Sequence, residues 1–240
     1  MHRNRQTPKA STARRTPKRL LPLLLVAQLL VILDITAVNI AMPSLAHDLK
    51  ISGATISWTI TAYSLVFGSL LLLGGRAADL LGRRRMFLTG LGVFTASSLA
   101  SAMAGSAAAL FAARAGQGVG AAMLSPAALS LITSNFHGPA RAKALAAWGA
   151  VGGAGAALGV LLGGLLTQLV DWRLIFFVNL PVAAALAYGA RRTVPADKEK
   201  PRWRGLDVRG AALATGSTPP SCTRSPRPTR PAGSPRRRSA

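Results

Sequence analysis

Gly75-Arg76-Ala77-Ala78-Asp79-Leu80-Leu81-Gly82-Arg83-Arg84-Arg85 places four arginines and one aspartate between two long apolar runs. A short, charge-dense turn between two membrane-length segments is a hairpin at a bilayer surface. Arginines hold such a hairpin on the positive, cytoplasmic side. Gly75 and Gly82 let two helices and their turn come close together. Asp79 falls at the membrane edge, where a carboxylate is costly unless something pairs with it.

The rest of the chain agrees with a membrane setting. Of 240 residues, 50% are hydrophobic and only 15% charged, which is unlike a soluble domain. The formal charge of +22 suggests nucleic acid at first sight. Its distribution argues against that partner, because the basic residues crowd into the N-terminus, the connections and the last stretch and leave the apolar runs nearly clean. Cys222 is the single cysteine, so no internal disulfide or cysteine metal cluster is available. His2, His47 and His137 are isolated and offer no metal-ligand spacing. No metal, no cofactor and no enzymatic constellation is expected.

A spanning helix needs about 20 apolar residues. Six segments qualify: 20–42, 56–77, 86–103, 107–131, 144–169 and 174–190. Their short connections predict antiparallel neighbours, so the fold class is an all-α integral membrane bundle. Lysine and arginine concentrate in the N-terminus, the second and fourth connections and the segment after the sixth span; the alternate connections offer only Lys50 and Arg173. Both termini are therefore expected in the cytoplasm of a multi-pass cell-membrane protein. Residues 1–19 read as a disordered basic lead-in. Residues 193–216 read as a cytoplasmic linker ending in the entrance to a seventh span that does not follow. Residues 217–240 are almost entirely Ser, Thr, Pro, Arg, Ala and Gly, a composition that neither packs a core nor spans lipid. Such residues have GC-rich codons, so this stretch reads as an out-of-frame end on a frameshifted or truncated membrane protein. The alternative is a basic tail that touches anionic lipid.

Two charges lie inside apolar runs, and an intramembrane charge is a functional-site hypothesis by default. Asp34 sits within Leu33-Asp34-Ile35-Thr36-Ala37-Val38-Asn39-Ile40-Ala41-Met42-Pro43, and Arg114 within Arg114-Ala115-Gly116-Gln117-Gly118-Val119-Gly120. A carboxyl group poised between burial and a neighbouring cation can take up and release a proton. At about 1.5 Å per residue, Asp34 lies roughly 20 Å from the start of span one and Arg114 roughly 10 Å from the start of span four. In an apolar core about 30 Å thick those are similar depths, so both are expected to face one cavity. In span five, Gly155, Gly159 and Gly163 fall on one helical face, with Gly164 beside them. Such a stripe permits close helix contact.

These runs resemble signatures of one family. The 75–85 stretch is similar to the loop between spans two and three of major facilitator transporters, written G-x-L-A-D-x-x-G-R-R/K. Gly75, Asp79, Gly82, Arg83 and Arg84 match; Ala77 replaces Leu, and Leu80 stands where a basic residue is common. The run around Asp34 resembles L-D-x-T-x-V-N-x-A-L-P of the fourteen-span drug:proton antiporters, with Met42 in place of Leu. Arg114 and Gln117 match R-x-x-Q-G-x-G-A-A. The glycine stripe resembles G-x-x-x-G-P-x-x-G-G, with Val160 in place of the proline, which removes the expected kink. Asp171–Pro181 and Ser57–Leu65 also resemble that group. In the first of these, Trp172 fits an aromatic anchor at the outer interface.

The resemblance covers about 20–210 and implies the N-terminal six-helix half of the fold, built from two inverted three-helix repeats. It implies export of a small hydrophobic or cationic drug-like substrate in exchange for protons, powered by the proton gradient. Asp34 and Arg114 would belong to proton coupling. Gly75, Asp79, Gly82, Arg83 and Arg84 would belong to a cytoplasmic gate working against a C-terminal half. Asn39, Trp58, Tyr63 and Gln117 would line a substrate path, with interface anchoring a second role for Trp58. The partners expected are the substrate, protons, the lipid bilayer, and either a C-terminal half or a second copy of the chain.

Overall fold

The computed structural model describes residues 19–197. The expected lead-in up to residue 18, the linker beyond residue 197 and the Arg- and Pro-rich stretch lie outside them. The described chain forms α1 (Leu20–Asp48), α2 (Gly53–Ile56), α3 (Trp58–Leu81), α4 (Arg83–Ala102), α5 (Ala107–Asn135), α6 (Gly138–Leu169) and α7 (Arg173–Thr193). α2 is a single turn, and the other six helices coincide with the six expected spans. Five of them are long and apolar enough to cross a membrane. The exception is α4, which opens on three arginines and carries several hydroxyls. Two of these, Ser98 and Ser101, are fully buried.

The helices overrun their expected bounds. α1 continues through Pro43 to Asp48, and α6 begins six residues early, with its proline in the first turn, where the missing N–H is harmless. The largest correction concerns 75–85, expected as a turn. α3 runs to Leu81, α4 starts at Arg83, and Gly82 alone separates them with φ +104°. A residue that accepts this backbone lets the chain reverse in one step. α6 is unbroken through Val160.

The helix pairing has an internal symmetry. α1 lies along α6 as α5 lies along α3; α4 packs on α5 as α7 packs on α1; and α4 meets α7. Exchanging the first three spans (α1, α3, α4) with the last three (α5, α6, α7) maps this set of contacts onto itself. Because α1 and α5 start at opposite ends of the bundle, the two units are inverted repeats.

Small residues set these distances. A Cβ on Gly155 would lie 2.9 Å from a Leu29 methyl, one on Gly159 would overlap the Thr36 hydroxyl, and one on Gly163 would lie 2.6 Å from the Ala37 Cα. The stripe therefore seats α6 on the backbone of α1. Gly164 does not belong to it: its Cβ would meet only Ile40, at 3.8 Å. Close approach of α3 to α5 rests on Gly74, whose Cβ would collide with the Ala122 carbonyl. Gly75 has ordinary room beside Pro126.

Gly163→Ala is expected to lower stability by about 1–3 kcal/mol, because the added methyl meets backbone that cannot step aside. Gly152→Ala, where the added Cβ would meet nothing within 4 Å beyond the helix's own backbone, is expected to be neutral or to stabilise by up to about 1 kcal/mol through helix propensity. Thermal unfolding of the two variants in one detergent checks the contrast.

Candidate functional site

α1 and α5 carry the two intramembrane charges to the same place. Arg114 Nη1 donates to Asp34 Oδ2 at 2.6 Å, and both residues are 1% exposed. Removing two charges from water costs several kcal/mol each, and the pair holds only when further hydrogen bonds occupy the remaining sites. They are occupied here. Gln117, one turn from Arg114, accepts from Arg114 Nη1 at 2.8 Å through Oε1 and from Ser101 Oγ at 3.2 Å. Its Nε2 donates to Asp34 Oδ1 at 3.0 Å and to Ser98 Oγ at 2.7 Å. From α7, Asn179 Nδ2 donates to the same Asp34 Oδ1 at 2.9 Å and to Ser98 Oγ at 3.0 Å. From α3, the Thr59 carbonyl accepts from Arg114 Nε at 3.3 Å. The Arg114 guanidinium also lies 4.4 Å from the Tyr63 ring centroid and 5.9 Å from that of Phe176, within cation–π range.

Five helices thus meet at one carboxylate and one guanidinium. The accounting is one-sided at Asp34: the groups that touch it are Arg114, Gln117 and Asn179, and each is a donor. The arrangement suits a carboxylate. A protonated Asp34 would set its own O–H among donors.

Beside this cluster lies an apolar cleft of about 190 Å³ between α1, α6 and α7. Leu29, Leu33, Leu162, Leu166 and Val178 form its walls, and Asp34 and Asn179 lie at its polar edge. The residues expected along a substrate path do not share it. Tyr63 and Gln117 are buried in the ion-pair cluster. The Asn39 amide donates to the Ile35 carbonyl of its own helix at 2.9 Å. Trp58 is 54% exposed at the start of α3. Trp172 is not an exposed anchor. It is 3% exposed, stacks edge-on with Phe176 and donates from Nε1 to Asp48 at 3.1 Å.

Among the residues of the 75–85 stretch, Asp79 at the end of α3 and Arg83 at the start of α4 form a surface pair at 3.4 Å across Gly82. Arg84 turns away and donates from its side chain to the Arg191 carbonyl at 2.8 Å. The sequence reading missed Asn179, Ser98 and Ser101. Asn179 sits in a run that had been matched, and its position inside an apolar span was the available signal.

The chain is 51% identical over 197 residues to the puromycin resistance protein pur8 of Streptomyces alboniger, covering 82% of this chain and 39% of that protein. It is 43% identical over 212 residues to the cephamycin export protein CmcT of Amycolatopsis lactamdurans, covering 88% of this chain and 43% of that one. The chain therefore spans less than half the length of these relatives. Among solved structures, a bacterial homologue of the human lysosomal transporter Spinster, inward-facing and occupied, superposes with a TM-score of 0.66 at 19% identity. That match covers 82% of this chain and 47% of the other, and speaks for the fold. The Major Facilitator Superfamily model matches residues 24–238, a range that takes in most of the Arg- and Pro-rich stretch, and with this match the chain belongs to that family of transporters.

Proposed function

We propose that these six spans are one half of a proton-coupled exporter of antibiotic-like small molecules, with Asp34 as the proton carrier and Arg114 as its counter-charge. The observation that supports this most directly is the all-donor surround of Asp34. Proton uptake removes the charge that strengthens the bond to Arg114 and adds an O–H where the surrounding groups are donors, so the pair weakens and its neighbours are free to turn. Arg114 keeps Gln117, the Thr59 carbonyl and the Tyr63 ring when it does. Asn179 and Ser98 transmit the same event to α7 and α4. One proton thereby changes contacts on five helices, which is the kind of two-state element that alternating access requires.

Relatives named for puromycin resistance, cephamycin export and lincomycin resistance support a substrate of antibiotic type, and we read it as a hydrophobic or cationic small molecule. The arginine-rich end of the bundle is read as the cytoplasmic face of the cell membrane, following the positive-inside rule.

Transport needs a second bundle that rocks against this one. α3 and α6 are equivalent under the internal symmetry. Each has only 17% of its most apolar stretch buried among the described residues, and a Cβ added to Gly149, Gly152 or Gly153 on α6 would meet nothing within 4 Å beyond its own helix. Small residues on an uncovered helix face suit close packing with another helix. A C-terminal six-span half, or a second copy of this chain, is the occupant this reading requires.

Three outcomes test the reading. Purified chain shown by cross-linking to be monomeric in liposomes is expected to give no proton-driven efflux; efflux by the monomer overturns the two-bundle requirement. When the chain is co-reconstituted with the C-terminal half of the puromycin-resistance relative, or forms a dimer that exports, Asp34→Asn is expected to reduce proton-driven efflux to background. Undiminished efflux removes Asp34 from coupling. Finally, Arg114→Leu is expected to cost about 3–5 kcal/mol by stranding Asp34, and the Asp34→Leu/Arg114→Leu pair to cost less than the sum of the single changes. A double-mutant cycle on unfolding in detergent measures this.

A further inference from the structure

The end of α7 reaches back to the hinge between α3 and α4. Val194 leaves α7 buried in the core, at 3% exposure, and three residues later Asp197 meets the first turn of α4. Its Oδ1 accepts the backbone N–H of Arg84 at 3.1 Å, and its Oδ2 accepts that of Arg85 at 3.0 Å. The opening N–H groups of a helix have no partner within it and carry partial positive charge, so a carboxylate there is well matched. Gly82, the single hinge residue, leaves the space: a Cβ on it would collide with the Asp197 carboxylate. The Arg84 side chain closes the same junction from the other direction, through the Arg191 carbonyl. Asp79, the acid of the hinge itself, is bonded among the described residues only to Arg83, on the surface.

We propose that Asp197 is a latch. It locks the hinge between spans two and three to the segment that leaves span six, and the hinge is released when that segment lifts. Lifting of residues 194–197 is thereby converted into freedom of the first turn of α4, at the Arg84 and Arg85 amides. This inference is independent of the proton-coupling reading and is tested without transport.

The test is hydrogen–deuterium exchange on the full 240-residue chain in detergent, following the amides of 83–88. Asp197→Ala is expected to speed exchange there about tenfold or more, with α5 amides unchanged. Asp79→Ala is expected to leave both unchanged. Asp197→Asn keeps the side chain's shape and one accepting oxygen, and is expected to fall between. If Asp197→Ala unfolds the bundle, seen as faster exchange in α5 also, Asp197→Asn decides. Unchanged exchange at Arg84 and Arg85 in the folded variant overturns the proposal.

Pulsed electron resonance separates a latch from a passive cap. With Cys222→Ser as background, labels on Arg85→Cys and Arg192→Cys are expected to show one distance population with Asp197 and a second, longer one without it. Labels on Met103→Cys and Leu169→Cys, away from the hinge, are expected to stay unchanged. A single unchanged distance between the first pair also overturns the latch.

Discussion

An ion pair with both partners 1% exposed imposes its demands on everything around it. In a medium of low dielectric, an unpaired carboxylate or guanidinium is far more costly than any single packing defect. Asp34 and Arg114 therefore fix the relative depth of α1 and α5, and Gln117, Asn179, Ser98 and Ser101 have to be where they are. Their amides and hydroxyls consume the lone pairs and N–H groups that a bare pair would leave open. The polar content of α4 follows from the same demand. A span rich in serine is poorly apolar taken alone, yet its serines complete a site that no leucine would satisfy.

The rest of the bundle is arranged to let backbones come close enough for this cluster to form. Lipid supplies no hydrophobic drive between helices, so contact area and short interhelical approach take its place. The glycine stripe of α6 on α1 and the Gly74 and Gly118 contacts between α3 and α5 are the same solution used twice, at two symmetry-related contacts between the inverted repeats. Gly118 seats directly on the backbone carbonyl of Tyr63, which holds the Tyr63 ring under Arg114. Packing and electrostatics meet in that one contact.

Much of this was legible in the sequence, for a physical reason. A charge in an apolar run is conspicuous, so Asp34 and Arg114 were identified, and equal depth along two antiparallel helices is simple arithmetic. The span count followed from runs of apolar residues. Asn179, Ser98 and Ser101 were harder, because small polar residues are common in membrane helices and only a partner's location gives one meaning. Asp197 was illegible: its partners lie 113 and 112 residues away, and a lone aspartate after a span looks like solvated linker. Trp172 misled because tryptophan beside a connection normally marks an interface. Here Asp48, on another helix, takes its N–H and draws it inward. The 75–85 stretch reads as a turn, but the turn is one residue long, since periodicity cannot show that one glycine suffices to reverse the chain.

The tie points between α4 and α7 suggest how the half is organised mechanically. At one end Arg173, at the start of α7, donates to the carbonyl of Ala104 just beyond α4 at 3.3 Å and pairs with Asp48 at 3.2 Å. In the middle, Asn179 on α7 donates to Ser98 on α4. At the other end Asp197 holds the Arg84 and Arg85 amides. These two helices also form a pair that the internal symmetry maps onto itself, as do α1 and α5. Spans three and six, stitched at both ends and at mid-depth, thus form a frame along the symmetry axis. The charge-bearing helices α1 and α5 and the sparsely covered α3 and α6 pack around it. The central stitch shares its atoms with the Asp34 site, since Ser98 and Asn179 belong to both. The middle of the frame, held by the single Asn179–Ser98 bond, is therefore joined directly to the ion pair through Asn179 and Asp34, while its two ends are tied independently of that pair.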